Sequence, residues 1–114
     1  IGGYFGLEMH ARNEFHSNAI ALNSGRGCLE YILRAHTYGK IYIPFYVCNA
    51  VIQTIEKLGI KFEYYSITKD FFPKINFTCV DKNQALLYVN YFGVNDKNIN
   101  KIIRLKKWYN DQFK

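Results

Sequence analysis

A glycine-rich turn that contains an arginine is the part of this sequence best suited to bind a ligand. A short apolar run, Ala19–Leu22, leads into the turn, and residues at helical spacing follow it. The turn consists of Ser24, Gly25, Arg26 and Gly27, and the helical positions are Leu29, Ile32, Leu33 and His36. This pattern predicts a strand, a tight turn and a helix. Because a helix start offers unpaired N–H groups and Arg26 adds a cation, we predict a phosphate site here.

A structural cap and a dinucleotide fingerprint are the alternatives to a phosphate site at this turn. Glycine permits a tight strand-to-helix turn and Ser24 can cap the helix, so the local pattern alone also fits a purely structural cap. A dinucleotide fingerprint is disfavoured, because Glu30 occupies the position of the third glycine and Phe45 stands where a ribose-binding acid is expected.

Composition is typical of one folded domain. The chain has 114 residues, which predicts a single domain over 1–114, and its 49% hydrophobic and 18% aromatic content excludes a disordered chain. Its apolar runs are far shorter than the roughly 20 residues that a membrane-spanning helix needs, and no secretory leader is visible. We therefore expect a cytoplasmic protein without a membrane segment.

The cysteines, histidines and basic residues add little specific chemistry. Three cysteines and three histidines show no metal-ligand spacing, so we predict neither a metal site nor a disulfide framework. The net charge of +6 permits attraction to phosphates. The basic stretch Lys101–Lys107 also fits the wet face of an amphipathic helix, so we favour a solvated surface over nucleic-acid binding.

Strands and helices alternate along the sequence. After a short helix at 8–18 and the helix that follows the turn, the predicted elements are a strand at 41–43 ended by Pro44, a helix at 47–58 ended by Gly59, strands at 62–67 and 85–90, and a helix capped by Asp96. Gly39 is expected to end the first long helix in a left-handed conformation. Residues 68–83 are predicted to be irregular. The alternation predicts an α/β fold with a parallel sheet.

Ligands of parallel α/β sheets bind outside the carboxyl ends of the strands. This rule selects four segments of the predicted sheet: 24–27, 45–48, 68–70 and 90–93. Together they offer phosphate donors, aromatic surface and a polar amide.

With these segments in order, the sequence resembles the N-terminal part of the DegT-type aminotransferases, pyridoxal-phosphate enzymes that aminate nucleotide-linked sugars. The resemblance spans roughly residues 2–103 and lies in the order and spacing of four phrases. These are Ser-Gly-Arg-Gly-Cys-Leu at 24–29, Ile-Pro-Phe-Tyr at 43–46, Leu-Gly at 58–59 before a strand, and Val-Asn-Tyr-Phe-Gly at 89–93. Arg26 replaces the family's threonine and Asn90 replaces its histidine.

The resemblance implies a partial large domain of a pyridoxal-phosphate-dependent transferase, a three-layer sandwich around a parallel sheet. It implies that the cofactor phosphate is held by Ser24, Gly25, Arg26 and Gly27. Cys48, at a position where the family often stacks an aromatic ring, and Asn90 would border the cofactor ring. It also implies a nucleotide-linked sugar, an amino donor and a homodimer as partners.

The family's lysine, which bonds covalently to the cofactor, and its ring-nitrogen carboxylate have no matching segment in this sequence. We therefore assign no catalytic residue and interpret the chain as an inactive N-terminal fragment. In the family's sheet, the strand before the phosphate turn is separated from the next three strands by later ones, so 1–114 would lack the middle of that sheet. The alternative is a non-catalytic α/β module that binds a phosphorylated ligand or a protein partner.

Overall fold

A computed structural model of the protein describes residues 16–112, and the side chains of residues 16–107. Its helices are α1 (Gly25–Ala35), α2 (Asn49–Lys57) and α3 (Asp96–Gln112), and its strands are β1 (Lys40–Pro44), β2 (Lys61–Ile67), β3 (Pro73–Lys74) and β4 (Gln84–Leu86). Single 3-10 turns lie at Phe77–Cys79 and Tyr91–Gly93. This mixed architecture confirms the α/β prediction.

The four strands form one sheet in the order β3-β2-β1-β4. β1 lies between β2 and β4 and is parallel to both, with Ile41 beside Phe62 on one side and Ala85 on the other. The edge strand β3 is antiparallel to β2. The prediction of a parallel sheet is therefore correct for three strands, and the short antiparallel edge lies in the segment predicted to be irregular.

β1 is buried on both faces of the sheet. Ile41 and Ile43 point to one face of the sheet and pack there with Leu33 of α1 and Ile55 of α2, all of them buried. Tyr42 points to the other face, where its hydroxyl donates a hydrogen bond to the Cys79 carbonyl oxygen at 3.5 Å. The 3-10 turn that contains Cys79 packs against α3. α1 and α2 thus cover one face of β1, and on the other face Tyr42 contacts the turn that contains Cys79.

The predicted strand at 19–22 is wrong. These residues are irregular and exposed, with 65% of Ile20 accessible to solvent. An isolated strand leaves its backbone N–H and C=O groups without partners, and the four strands of the described sheet pair only with one another. Of the predicted helix at 8–18, residues 8–15 lie outside the described residues, and 16–18 form a turn.

The predicted ends of α1 and β4 are also wrong, because each depends on backbone groups from another part of the chain. α1 ends at Ala35 rather than Gly39, whose N–H instead donates to the Asn83 carbonyl oxygen at 2.9 Å. β4 ends at Leu86 rather than residue 90. The Leu87 N–H still donates to the Tyr42 carbonyl oxygen at 2.9 Å, but the next position on that side of β1 is Pro44, which has no N–H.

The predicted end of α2 is confirmed, and the predicted start of α3 is wrong by one residue. Gly59 follows α2 with a φ of +68°, the left-handed conformation that favours glycine, as predicted. At the start of α3, the Asn95 carbonyl oxygen accepts from the Ile99 N–H at 3.2 Å. Asn95 therefore occupies the cap position, and α3 begins at Asp96, one residue earlier than a cap at Asp96 predicts.

Removal of the buried Ile55 side chain tests the core. We expect Ile55→Ala to lower the free energy of unfolding by about 2–5 kcal/mol, because Ile55 is fully buried and its loss leaves a cavity. Ile32→Ala, at a helix position that is 52% exposed, is the matched control and should cost less than about 1 kcal/mol. Urea unfolding followed by circular dichroism measures both, and equal losses would contradict the assigned core.

Glu30 gives the fold a pH dependence. Its carboxylate accepts from the Arg34 guanidinium at 2.8 Å and from the Lys57 ammonium at 3.1 Å, which ties α1 to α2. These hydrogen bonds, first to Arg34 and then to Lys57, lower the pKa of Glu30. A carboxyl whose pKa is lower in the folded chain stabilises it above the unfolded pKa and loses that contribution as the pH falls through the folded pKa.

We therefore expect Glu30→Gln to flatten the loss of stability between about pH 6 and pH 3. Glu56→Gln, at an exposed position of α2, is the control. Urea midpoints across this pH range measure the effect, and identical pH slopes for the two variants would refute it.

Candidate functional site

Ser24 caps α1, as the sequence predicts. Its backbone is extended, with φ −159° and ψ 156°, and its Oγ accepts a hydrogen bond from the Gly27 N–H at 3.1 Å. The Cys28 N–H donates to the Ser24 carbonyl oxygen at 2.9 Å. The N–H groups of Gly25 and Arg26 remain at the helix start, where the helix itself offers no acceptor.

The two glycines of the turn have different roles. A Cβ at Gly27 would lie 3.2 Å from Asn23 Oδ1 and 3.3 Å from Ser24 Oγ, so any other residue would press on the side chains that form the cap. A Cβ at Gly25 would meet nothing within 4 Å. Capping therefore explains Gly27 but not Gly25.

The α1 start has the chemistry that a phosphate group needs. Ser24, Gly25 and Arg26 are exposed, and the first turn of α1 contains no acidic residue. Two N–H groups and the positive end of the helix dipole are therefore available to an anion, and the Arg26 side chain adds a cation to the same turn. These residues fit the phosphate of pyridoxal phosphate, and equally the phosphate of another ligand.

The structure brings together two of the four predicted ligand-binding segments, 45–48 and 90–93, with Phe71, the residue that directly follows the segment 68–70. The Tyr91 hydroxyl donates to the Tyr46 carbonyl oxygen at 2.7 Å, and the rings of these tyrosines stack with centroids 5.5 Å apart. The Phe71 ring lies 5.3 Å from the Tyr91 ring. We call the residues 45–48, 68–72 and 90–93 the rim. Within the described residues, no hydrogen bond or ring contact connects the rim to Ser24–Gly27.

Cys48 and Asn90 both lie on the rim, in different surroundings. Cys48 is exposed at the start of α2 and makes no side-chain cap. Asn90 donates from Nδ2 to Asp96 Oδ1 and accepts at Oδ1 from the Asn95 N–H, both at 2.9 Å. Both ends of the Asn90 amide are thus used to hold the start of α3. The assignment of Cys48 and Asn90 to a cofactor ring stays a prediction.

A largely buried set of polar contacts holds the rim, and sequence analysis missed it. The Tyr65 hydroxyl donates to the Leu87 carbonyl oxygen at 2.6 Å, and the Tyr88 hydroxyl donates to the Phe71 carbonyl oxygen at 2.8 Å. Burial raises the pKa of Tyr65 and, less strongly, that of Tyr91, so both hydroxyls keep their protons and act as donors.

Two buried asparagines complete this network. Asn98 Nδ2 donates to the Asp70 carbonyl oxygen at 2.8 Å, and Asn95 Nδ2 donates to the Tyr91 carbonyl oxygen at 2.9 Å. Tyr65 interrupts the alternation of aromatic and polar residues in β2, so this alternation did not indicate its burial. The asparagines gave no signal either, because polar residues at the start of a helix usually face water.

The rim contains two strained phenylalanines. Phe71 has a φ of 57° and Phe92 a φ of 59°, the left-handed region that costs a residue with a Cβ about 1–2 kcal/mol. Their rings meet edge to face with centroids 6.1 Å apart, and Phe92 is 79% exposed. Such strain persists only where the surrounding structure imposes it.

The outer part of the rim is an exposed aromatic surface. Phe45 is 67% exposed and stacks on Tyr64 with ring centroids 4.8 Å apart.

Within residues 16–107, no group of His, Cys, Asp or Glu side chains is arranged to hold a metal ion. Among the described helices, none has the length and apolar character needed to cross a membrane.

Comparison with known proteins adds no family to this geometry. No protein-family model, curated protein or solved structure matches the chain. The arguments for function therefore come from the residues themselves.

Replacement of Phe92 by glycine tests the strain on the rim. We expect Phe92→Gly to raise the free energy of unfolding by about 0.5–1 kcal/mol, because glycine adopts a positive φ without a steric cost and the Phe92 ring is mostly exposed. Phe45→Gly, at an exposed rim position without a positive φ, is the matched control and should destabilise the chain. Denaturant unfolding measures both, and a loss of stability in Phe92→Gly would contradict the strain.

Proposed function

We propose that this chain is the N-terminal part of a pyridoxal-phosphate-dependent aminotransferase-like protein of the DegT type. The complete protein would transfer an amino group from an amino donor to a nucleotide-linked keto sugar. The chain itself contributes the phosphate-binding residues and is inactive alone, because the sequence offers no counterpart of the family's lysine or ring-nitrogen carboxylate.

The geometry of the α1 start is the observation that carries the proposal. Ser24 and Gly27 form a closed cap, while the N–H groups of Gly25 and Arg26 and the exposed Arg26 side chain are left for an anion. Ser24, Gly25, Arg26 and Gly27 would hold the cofactor phosphate. When bound, the cofactor supplies the electron sink that amino-group transfer needs.

The order of elements supports the same proposal. β1, α2 and β2 follow one another as a parallel unit, as the phrases at 43–46 and 58–59 require. In the complete protein we propose a three-layer transferase sandwich, a homodimer and a cytoplasmic location.

A second candidate is a non-catalytic module that binds only the phosphate of its ligand or a protein partner. The Asn90 amide favours it, because both of its ends are already hydrogen-bonded within the chain. Such a module would recognise the anion and ignore the ring attached to it.

Equilibrium dialysis with pyridoxal phosphate tests the proposal. We expect saturable binding that Arg26→Ala weakens about tenfold, since a hydrogen bond to a charged group is worth about 1.5–3 kcal/mol. Arg104→Ala, which removes an exposed arginine of α3, is the matched control and should bind like wild type. Equal affinity of Arg26→Ala and wild type would contradict the phosphate site.

Two competitors separate the candidate functions. Pyridoxal, which lacks the phosphate, should bind more weakly than pyridoxal phosphate under both proposals. Inorganic phosphate should match pyridoxal phosphate in affinity only if the chain recognises the anion alone. The aminotransferase proposal therefore requires that pyridoxal phosphate bind more tightly than inorganic phosphate.

A further inference from the structure

β4 forms one edge of the sheet, and its outer side is open to another strand. In the described part of the chain, β4 pairs only with β1. The Leu87 N–H donates to the Tyr42 carbonyl oxygen on that inner side. Because successive residues of a strand direct their backbone groups to opposite sides, the N–H and C=O of Leu86 point away from β1. Neither group has a partner within residues 16–112.

The opposite edge of the sheet is protected, and the β4 edge is not. β3 is two residues long and consists of Pro73 and the exposed Lys74, the residue types by which edge strands avoid pairing. The segment 84–90, Gln-Ala-Leu-Leu-Tyr-Val-Asn, contains neither a proline nor a charged residue. This contrast indicates that the β4 edge accepts a further strand.

An apolar groove adjoins the open edge. It lies between 86–90 and α3, has a volume of about 330 Å³, and takes its apolar lining from Leu86, Leu87, Ile99, Ile102 and Ile103. Leu86 therefore belongs both to the groove and to the edge. Alternate side chains of a strand point to the same face, so a strand added beside Leu86 would direct one set of its side chains toward the groove. Extended peptides bind sheet edges in this way, by backbone hydrogen bonds and pockets for alternate side chains.

The charge beside the edge is positive. The Lys106 ammonium donates to the Gln84 carbonyl oxygen at 3.5 Å, on the same outer side as the free groups of Leu86. Within residues 96–107, α3 contains one acidic residue, Asp96, and the basic residues Lys97, Lys101, Arg104, Lys106 and Lys107. Acidic residues of a partner would be attracted here. Pairing with the β4 edge of a second copy is disfavoured, because it would bring two of these basic helices together.

We propose that the β4 edge and the groove bind an extended segment of another polypeptide, with apolar residues at alternate positions and acidic residues at its ends. The Leu86 N–H and C=O would pair with its backbone, the groove would take its apolar side chains, and Lys106 would attract an acidic end. The inference specifies the protein partner of the second candidate function. It is independent of the phosphate site, so peptide binding and pyridoxal phosphate binding can each fail alone.

Fluorescence anisotropy with a short peptide tests the site on the intact chain. The probe is fluorescein-labelled Glu-Val-Thr-Ile-Thr-Val-Glu, whose two acidic ends suit either strand direction. Its control has lysine in place of both glutamates. We expect saturable binding of the probe at low salt, and about fivefold weaker binding of the control peptide. Equal binding of both peptides, or no saturable binding of the probe, would overturn the proposal.

Two variants of Leu86 test the backbone pairing. Leu86→Pro removes the outward N–H and no hydrogen bond to β1, and an edge strand tolerates proline at such a position. Leu86→Ala shortens the side chain and keeps the N–H. We expect Leu86→Pro to bind the probe about tenfold more weakly than Leu86→Ala, with circular dichroism confirming that both are folded. The same affinity in these two variants would exclude backbone pairing at Leu86.

Side-chain variants test the groove and the charge without changing the backbone. Ile103→Gln, at a position 59% exposed, should keep the fold and weaken probe binding about threefold. Lys106→Glu should remove the preference for the probe over the control peptide, whereas Lys74→Glu, on the opposite edge, should keep it. Unchanged affinity in Ile103→Gln, or equal effects of the two charge variants, would contradict the assigned site.

Sedimentation equilibrium without the probe tests the alternative occupant. We expect the chain to stay monomeric through this edge, with the same association state in wild type and Leu86→Pro. A concentration-dependent dimer that Leu86→Pro abolishes would assign the edge to a second copy and overturn the proposed partner.

Discussion

Burial of β1 is the constraint on which the rest of the structure depends. Its five residues pair with β2 on one side and β4 on the other, and four of the five are buried. Both edges of this strand are paired, α2 connects it to the parallel strand β2, and α1 packs beside α2 on the face of Ile41 and Ile43. One short apolar sequence therefore determines where these two helices pack.

The end of β1 also determines where the rim forms. Pro44 cannot donate to β4, so the Leu87 carbonyl oxygen accepts from the Tyr65 hydroxyl instead, and regular pairing stops there. Beyond this point the backbone groups of the rim are satisfied by side chains of Tyr88, Asn95 and Asn98. Because side chains hold the rim by hydrogen bonds, Phe71 and Phe92 can keep a positive φ. In a loop without such contacts, these residues would relax to a negative φ.

The sequence was sufficient for local structure where local chemistry decides it. The Ser24 cap, the glycine that ends α2 and the parallel pairing of β1 with β2 all follow from residue types at short spacing. Prediction failed where a distant partner decides the outcome. Residues 19–22 have the composition of a strand but no strand beside them, and Gly39 enters a hydrogen bond with Asn83, 44 residues later in the chain.

The candidate site divides in the same way. The α1 start could be predicted, because its donors come from consecutive residues. The rim network could not, because it joins Tyr65 to Leu87 and Asp70 to Asn98 across the sequence, and these asparagine and tyrosine positions resemble ordinary surface residues until the chain is folded. Contacts of this kind depend on tertiary structure, and the spacing of residues along the sequence does not indicate which distant residues will meet.

Two cations of the chain show how position determines chemistry. Arg26 lies exposed at a helix start without an acidic residue in the first turn, so its charge is available to an anion in water. Lys106 lies half-buried on α3, where its Nζ is 3.5 Å from the Gln84 carbonyl oxygen and burial lowers the pKa of its amine. The net charge of +6 distinguishes neither residue from the other basic residues. The fold separates them, because it leaves the Arg26 charge in water and takes part of the Lys106 side chain out of it.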